Sequence, residues 1–301
     1  MAAKIPVSEA DKQKSYYKYY ERDVLIMPPE AYEYATEEKV RPQHDALTIF
    51  DRNKMLDPDQ LAYVKGHAVD NDFSPTLANY VFFPDATVEM CEWWFGWHSL
   101  DHLRYRIWDP EDHYFALNQN RDRMLNPNLT VREKTWGCTH FVDENIFSGS
   151  PHEPATNSLP DFSNPMLIEK SASFNVPYSG LDAPIALDFK SPEEYGFDTK
   201  KLYKDIGGTI ICANGRSYLP GKMGVNTVMC HFFRPANGGV ELFTRFWGGY
   251  QIINGKVIRV EPKDEDASSF IAMKLLQHNI KEFNNLATFL PEIYAEERDN
   301  W

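Results

Sequence analysis

The sequence predicts an α+β domain in which a curved antiparallel β-sheet grips one long C-terminal helix. Two observations carry that reading. Segments 136–144, 167–175, 208–217, 226–234 and 240–248 read as strands, several alternating apolar and polar residues with the period of a half-buried strand. Residues 266–287 then follow helical spacing and close the chain, with Ile271, Leu275 and Leu286 on one apolar stripe. A sheet folded round a helix in this way encloses a deep cavity between the two.

In chain order, residues 1–85 read as a mainly helical N-terminal extension packed on a main domain at 86–301. Ser8 is placed to cap the polar, Tyr-rich stretch that ends at Glu21. The run Tyr16-Tyr-Lys-Tyr-Tyr20 reads as surface aromatics resting on the main body. Pro28 and Pro29 break the chain, and Pro29 is suited to open a short helix through Ala31 to Thr36. Asp57 is expected to cap another short helix over Pro58 to Val64. Tyr80-Val-Phe-Phe83 is a short apolar strand, and Thr87 caps a helix running to His98, without a capping box because Met90 stands third. Asn237-Gly-Gly239 signals a hairpin. A second Gly-rich turn, Gly249 to Asn254, precedes a strand at 256–261. Residues 146–165, with Pro151, Pro154, Pro160 and Pro165, form a loop that is either a lid or a plain surface insertion.

Length and composition narrow the function. At 301 residues the chain suits one large domain or two small ones, and 43% hydrophobic residues suffice for a sizeable core. An aromatic share of 14% favours a pocket for a flat or apolar ligand, or an aromatic-rich core. A net charge of −13, without a run of Lys or Arg, argues against nucleic-acid binding. Cys91, Cys138, Cys212 and Cys230 are scattered and read as reduced, buried thiols. With no signal-peptide core and no span of about 18 apolar residues, the expectation is a soluble, cytoplasmic protein that does not engage a membrane.

The chemistry-bearing pattern is His278-Asn-Ile-Lys-Glu282 on the terminal helix. Residues four apart share a helix face, so an imidazole and a carboxylate can reach one point and make half of a transition-metal site, most plausibly zinc. A solvated pair is the plainer reading, but this one follows the Ile271/Leu275 step, and polar groups facing a core need partners. The other half must come from a distant segment. His44 and His67 lie in the extension and His152 in the loop. His98 and His102, four apart on an expected helix, are either a second metal pair or surface residues for which Asp101 and Arg104 offer ordinary pairing, the plainer reading. His113 sits where a helix yields to a Pro110 turn. In Thr139-His-Phe-Val-Asp-Glu144, His140 and Glu144 share one strand face. His231, alone on an apolar strand, is more simply a core histidine.

Four runs, Glu92-Trp-Trp-Phe-Gly-Trp-His98, Leu103-Arg-Tyr-Arg-Ile-Trp-Asp-Pro-Glu-Asp-His113, Thr139-His-Phe-Val-Asp-Glu144 and His278-Asn-Ile-Lys-Glu-Phe283, in this order, resemble the 2,4-diacetylphloroglucinol hydrolase / phloretin hydrolase family over residues 80–290. The resemblance implies a helix-grip (Bet v 1/START-like) fold and zinc-dependent hydrolysis of the carbon–carbon bond between a phenolic ring and an acyl group. It implies zinc ligands His113, Glu144, His278 and Glu282, and active-site roles for Tyr105 and His231. His140 rivals His113 as ligand, or contacts a ligand or the substrate, and Glu169 rivals Glu144. Trp93, Trp94, Trp97 and Trp108 either wall the cavity or pack the core. The implied partner is a small phenolic ketone, cleaved by a retro-Claisen route. Two other classes stay open: a metal-dependent lyase or cyclase on a related polyketide, and a non-catalytic carrier of hydrophobic ligands. The acyl chain, another divalent ion in place of zinc, and a homodimer are also open.

Overall fold

The computed structural model describes residues 4–25, 30–31, 42–146, 183–217, 225–260 and 265–301. The expected helix over 32–36, the strand at 167–175, the loop beyond residue 146, His152 and Glu169 lie outside the described residues.

After helix α1 (Tyr17–Glu21), strands β1 (Gly66–Val69) and β2 (Pro75–Pro84) form a hairpin. Helices α2 (Val88–Trp97) and α3 (His102–Trp108) lead to β3 (His113–Asn118). Short helices α4 (Arg121–Met124) and α5 (Val131–Thr135) precede β4 (Thr139–Glu144). Strands β5 (Ala183–Lys190), β6 (Thr209–Ser217), β7 (Val225–Ala236) and β8 (Gly239–Gly248) complete an eight-stranded antiparallel sheet of order β1-β2-β8-β7-β6-β5-β4-β3. A small hairpin, β9 (Tyr250–Ile253) and β10 (Lys256–Arg259), stands apart, followed by helices α6 (Glu265–Ala287) and α7 (Leu290–Glu297). The protein is α+β with the long terminal helix in place. Strands β1 and β2 belong to the sheet, which therefore reaches back past residue 85, the boundary expected for the N-terminal extension.

Curvature follows from two neighbouring residues of α6. Asn279 bonds Asn79 on β2, while the ring of His278 meets His113 on β3. In sheet order those strands are six steps apart, or about 29 Å in a flat sheet. One helix turn touches both only because the sheet curls round the helix. Helix α6 packs along β1 and β2, with Leu276 and Ile280 against Leu77.

Strands β6 and β7 bury both faces. Ile211, Ala213, Met229 and Phe233 face the aromatic core with α2, α3 and Phe283. Cys212, Cys230 and Phe232 face the opposite layer of Ile49, Met55, Leu56, Tyr195 and Leu202. Double-sided burial is why Val228-Met-Cys-His-Phe-Phe233 is nearly unbroken in apolar character.

Local chemistry explains most element ends. The Thr87 hydroxyl accepts from Met90 N, the expected cap. Ser8 and Asp11 cap each other reciprocally. Asn237 and Gly238 form the two-residue turn between β7 and β8, with Gly238 at φ 78°. Three expectations need correction. His98 and His102 do not share a helix, because Asp101, extended at φ −154°, caps α3 afresh. The helix expected over 58–64 is only a 3-10 turn, Pro58–Gln60, and Asp57 makes no capping bond. Tyr16, Tyr19 and Tyr20 are core residues, not surface ones: Tyr16 meets Trp97 edge-on and Tyr19 packs on Phe289. Among the described residues no helix is long and apolar enough to cross a membrane, and all four cysteines are free and buried.

Candidate functional site

Two strand ends and one helix face build the site. His113 opens β3 and Glu144 closes β4, paired in register across an irregularity between His113 and Phe115. An extra residue there re-aims the side chain at the strand end. His278 and Glu282 lie one turn apart on α6, and all four residues are buried. His113 Nε2 stands 3.2 Å from His278 Nε2. Glu144 Oε2 is 3.4 Å from His278 Nε2, and Glu282 Oε2 is 3.7 Å from His113 Nε2. Donor atoms of His113, Glu144 and His278 all lie within 4.8 Å of one another, with Glu282 adjoining.

Neighbouring groups fix the orientation of these donors. His113 Nδ1 is 3.2 Å from the Tyr105 carbonyl. A carbonyl only accepts, so the proton is on Nδ1 and Nε2 presents a lone pair. The Tyr105 ring stacks on His113 at 4.1 Å and 6°, and its hydroxyl donates to Glu144 Oε1. Asn79 donates to Asn279 Oδ1, and Asn279 in turn donates to Glu282 Oε1, each at 2.9 Å.

Burial sets the electrostatics. It pushes Glu144 up to about 8 and Glu282 well above the usual carboxylate range, the latter also through Glu144 and Asp109. It holds His278 at about 4 and His113 well below its ordinary value, so both imidazoles are neutral at pH 7. No Lys or Arg among the described residues pairs with either carboxylate. Two lone-pair nitrogens and two buried carboxyl groups form a donor set that could hold a divalent cation. The 3.2 and 3.4 Å separations match the roughly 3.3 Å edge of a tetrahedron drawn with 2.0–2.1 Å bonds. Asp109, Asp112 and His278 make a second such group, but Lys281 occupies it, 3.0 Å from Asp109 and Glu111 and 2.5 Å from Asp112.

Glu144, His278 and Glu282 form one wall of a cavity between sheet and helix, with His113 behind them. It is lined further by Phe95, His98, Tyr105, Trp108, Met229 and His231, and has a volume of about 80 Å³. His231 reaches this wall with Nδ1 2.8 Å from Thr244 Oγ1, neutral because burial lowers it to about 3. His140 does not line the cavity: its ring packs on Phe189 at 4.4 Å, with Nε2 beside Asn118. Trp108 lines the cavity, whereas Trp93, Trp94 and Trp97 pack in the core behind it.

The domain family described as DAPG hydrolase PhiG domain matches residues 47–157 and 178–295. This chain belongs to the DAPG hydrolase family. A phloretin hydrolase of Eubacterium ramulus is 33% identical over 301 residues, covering 99% of this chain and 96% of that protein. The 2,4-diacetylphloroglucinol hydrolases of a Pseudomonas species and of Pseudomonas protegens are 25% and 24% identical, each over 95% of this chain and 90% and 86% of their own lengths. The likeness starts well before residue 80, in the stretch that carries β1 and β2.

Sequence reasoning missed two parts of this hydrolase's site. His98 lines the cavity, its Nδ1 donating to Trp94 O at 2.7 Å, so its other nitrogen is an acceptor. Asp101 beside it was the available clue, since a capping residue ends one helix and begins another. The Asn79–Asn279 pair is the second, and nothing local in either segment announces it.

Proposed function

We propose that the chain is a zinc-dependent hydrolase that cleaves the carbon–carbon bond between a phloroglucinol-type ring and an acyl group by a retro-Claisen route, on a helix-grip (Bet v 1-like) scaffold. The observation that carries the reading is the meeting of His113, Glu144, His278 and Glu282, without a cationic side chain, beside a largely apolar cavity whose wall includes Glu144, His278 and Glu282. Kinship to proteins named phloretin and 2,4-diacetylphloroglucinol hydrolases supplies the substrate class.

Zinc held by these four residues would supply Lewis acidity toward the acyl carbonyl and a source of hydroxide near neutral pH. The chain's own groups do the rest. Phe95 and Trp108, which meet edge to face at 5.7 Å, give the cavity an apolar wall for a flat ring and exclude water. His98 and His231, both neutral, accept hydrogen bonds from phenolic hydroxyls. His140 backs His98, their rings 5.9 Å apart. Tyr105, on the metal side, is placed to exchange a proton with the ring carbon. A protonated ring carbon makes the substrate a β-diketone. Hydroxide then adds to the acyl carbon, the ring–acyl bond breaks with its electron pair passing into the ring, and a phenol and a carboxylic acid leave.

Incubation with mono- and diacetylphloroglucinol tests this. Mass analysis should show the deacetylated ring and acetate in equal amounts, lost on chelation and restored by zinc. An isomerised product without added water would favour a cyclase, and no product at all would favour a carrier.

A further inference from the structure

The three ligand-bearing elements are tied together by one residue that is not itself among the proposed ligands. Asp112 closes the turn before β3, directly ahead of His113. Its backbone carbonyl accepts from Asn145 N at 2.8 Å, and its Oδ1 accepts from Asn145 Nδ2 at 3.0 Å. Asn145 follows Glu144. Asp112 Oδ2 accepts from Lys281 Nζ at 2.5 Å. Lys281 lies between His278 and Glu282, on the face that residues three and four apart share. One carboxylate thus binds, through its two oxygens, the strand end that carries Glu144 and the helix face that carries His278 and Glu282. Its own backbone continues into His113, whose N–H bonds the Asp109 carbonyl at 2.9 Å. Asn285, one turn further along α6, adds a bond to the Trp108 carbonyl at 2.8 Å, so the same stripe of α6 rests on residues 108–113.

We propose that Asp112 is a positioning residue: it sets the spacing of the four donors and thereby the affinity for the metal, without touching metal or substrate. This rests on the zinc reading above. Donors on separate elements close on an ion only if the elements are held to within about 0.5 Å, and groups one bond removed from a metal site are worth about 10–100-fold in affinity.

Two variants separate the arms. Asp112→Asn keeps an acceptor for Asn145 and removes the charge facing Lys281, which still has Asp109 and Glu111. Asn145→Ala removes the side-chain bond of the strand arm and leaves its backbone bond and the helix arm. Zinc affinity is read by competition with a chromophoric chelator, alongside the melting temperature of metal-free protein. The expected result is affinity about 10–100-fold weaker in each variant, with the metal-free melting temperature within a few degrees of the parent. Parent-like zinc affinity in both variants would overturn the inference and leave the zinc reading standing. A fall in metal-free stability that accounts for the whole affinity loss would also overturn it, assigning Asp112 to folding alone. A parent protein that takes up no zinc would sink both.

Discussion

Two groups of buried carboxylates flank the same stretch of α6, and they are neutralised differently. Asp109, Glu111 and Asp112 surround Lys281, which bonds all three. Those carboxylates raise its ammonium well above the ordinary lysine value, against the pull of burial. Glu144 and Glu282, one turn away, meet only neutral groups among the described residues: the two imidazoles, the Tyr105 hydroxyl and the Asn279 amide. The first group has a cation of its own in Lys281. The second has none among the described residues, and a divalent cation is what we propose completes it.

If that contrast holds, opposite variants have opposite signatures. Glu282→Gln should weaken metal retention by more than about 100-fold, beyond the loss seen when a partner one step removed is deleted, and turnover should go with it. Metal-free Glu282→Gln protein should be as stable as the parent or more so, since Gln is fixed in the neutral form that burial already favours for Glu282. Lys281→Met should instead lower stability by about 3 kcal/mol, because Asp109 is left buried without its cation. Urea unfolding of both metal-free variants checks the pair, and equal destabilisation would erase the distinction.

The pH dependence sharpens it. Burial puts Glu144 at about 8 in the folded metal-free chain, against an ordinary 4.5. Between those values the folded state holds a proton that the unfolded chain has released. The contribution of Glu144 to the stability of the metal-free protein is therefore greatest at low pH in this window and declines as pH rises from about 4.5 through about 8, opposite in sign to the contribution of the lowered imidazoles of His278 and His231. Zinc should flatten that slope, since the bound ion holds the carboxylate ionised. Urea midpoints at pH 6 and pH 8 for the parent and for Glu144→Gln, with chelator and with zinc, isolate that contribution and test its sign. Identical slopes would contradict it.

The smallest expected effect on the metal belongs to Tyr105→Phe. It keeps the ring stacked on His113 and loses the hydroxyl on Glu144. Zinc content should stay at parental level while kcat falls about 100-fold. Lost zinc at unchanged kcat per metal would make Tyr105 a structural support instead.

The legibility of this molecule in its sequence follows the range of each interaction. His278 and Glu282 were readable because a helix brings residues four apart together by its own geometry. The shared face of His140 and Glu144 was readable from strand alternation, though their roles were not: alternation fixes a face, and depth along the strand decides which side chain meets the cavity. His113 needed the likeness to a family, because the irregularity before Phe115 that aims it arises from pairing with β4. Strand β1 was missed because Gly66-His-Ala-Val69 is short and weakly β-prone, and it is held by β2 and α6 more than by its own pattern. Asp112 and Asn279 were silent for the same reason, since their partners lie far along the chain.

The most direct test of the central claim is elemental analysis of the purified parent protein beside Glu282→Gln. The account predicts one zinc per parent chain and almost none in the variant. A parent free of metal yet active on acylphloroglucinols, or a variant retaining a full equivalent, would contradict it.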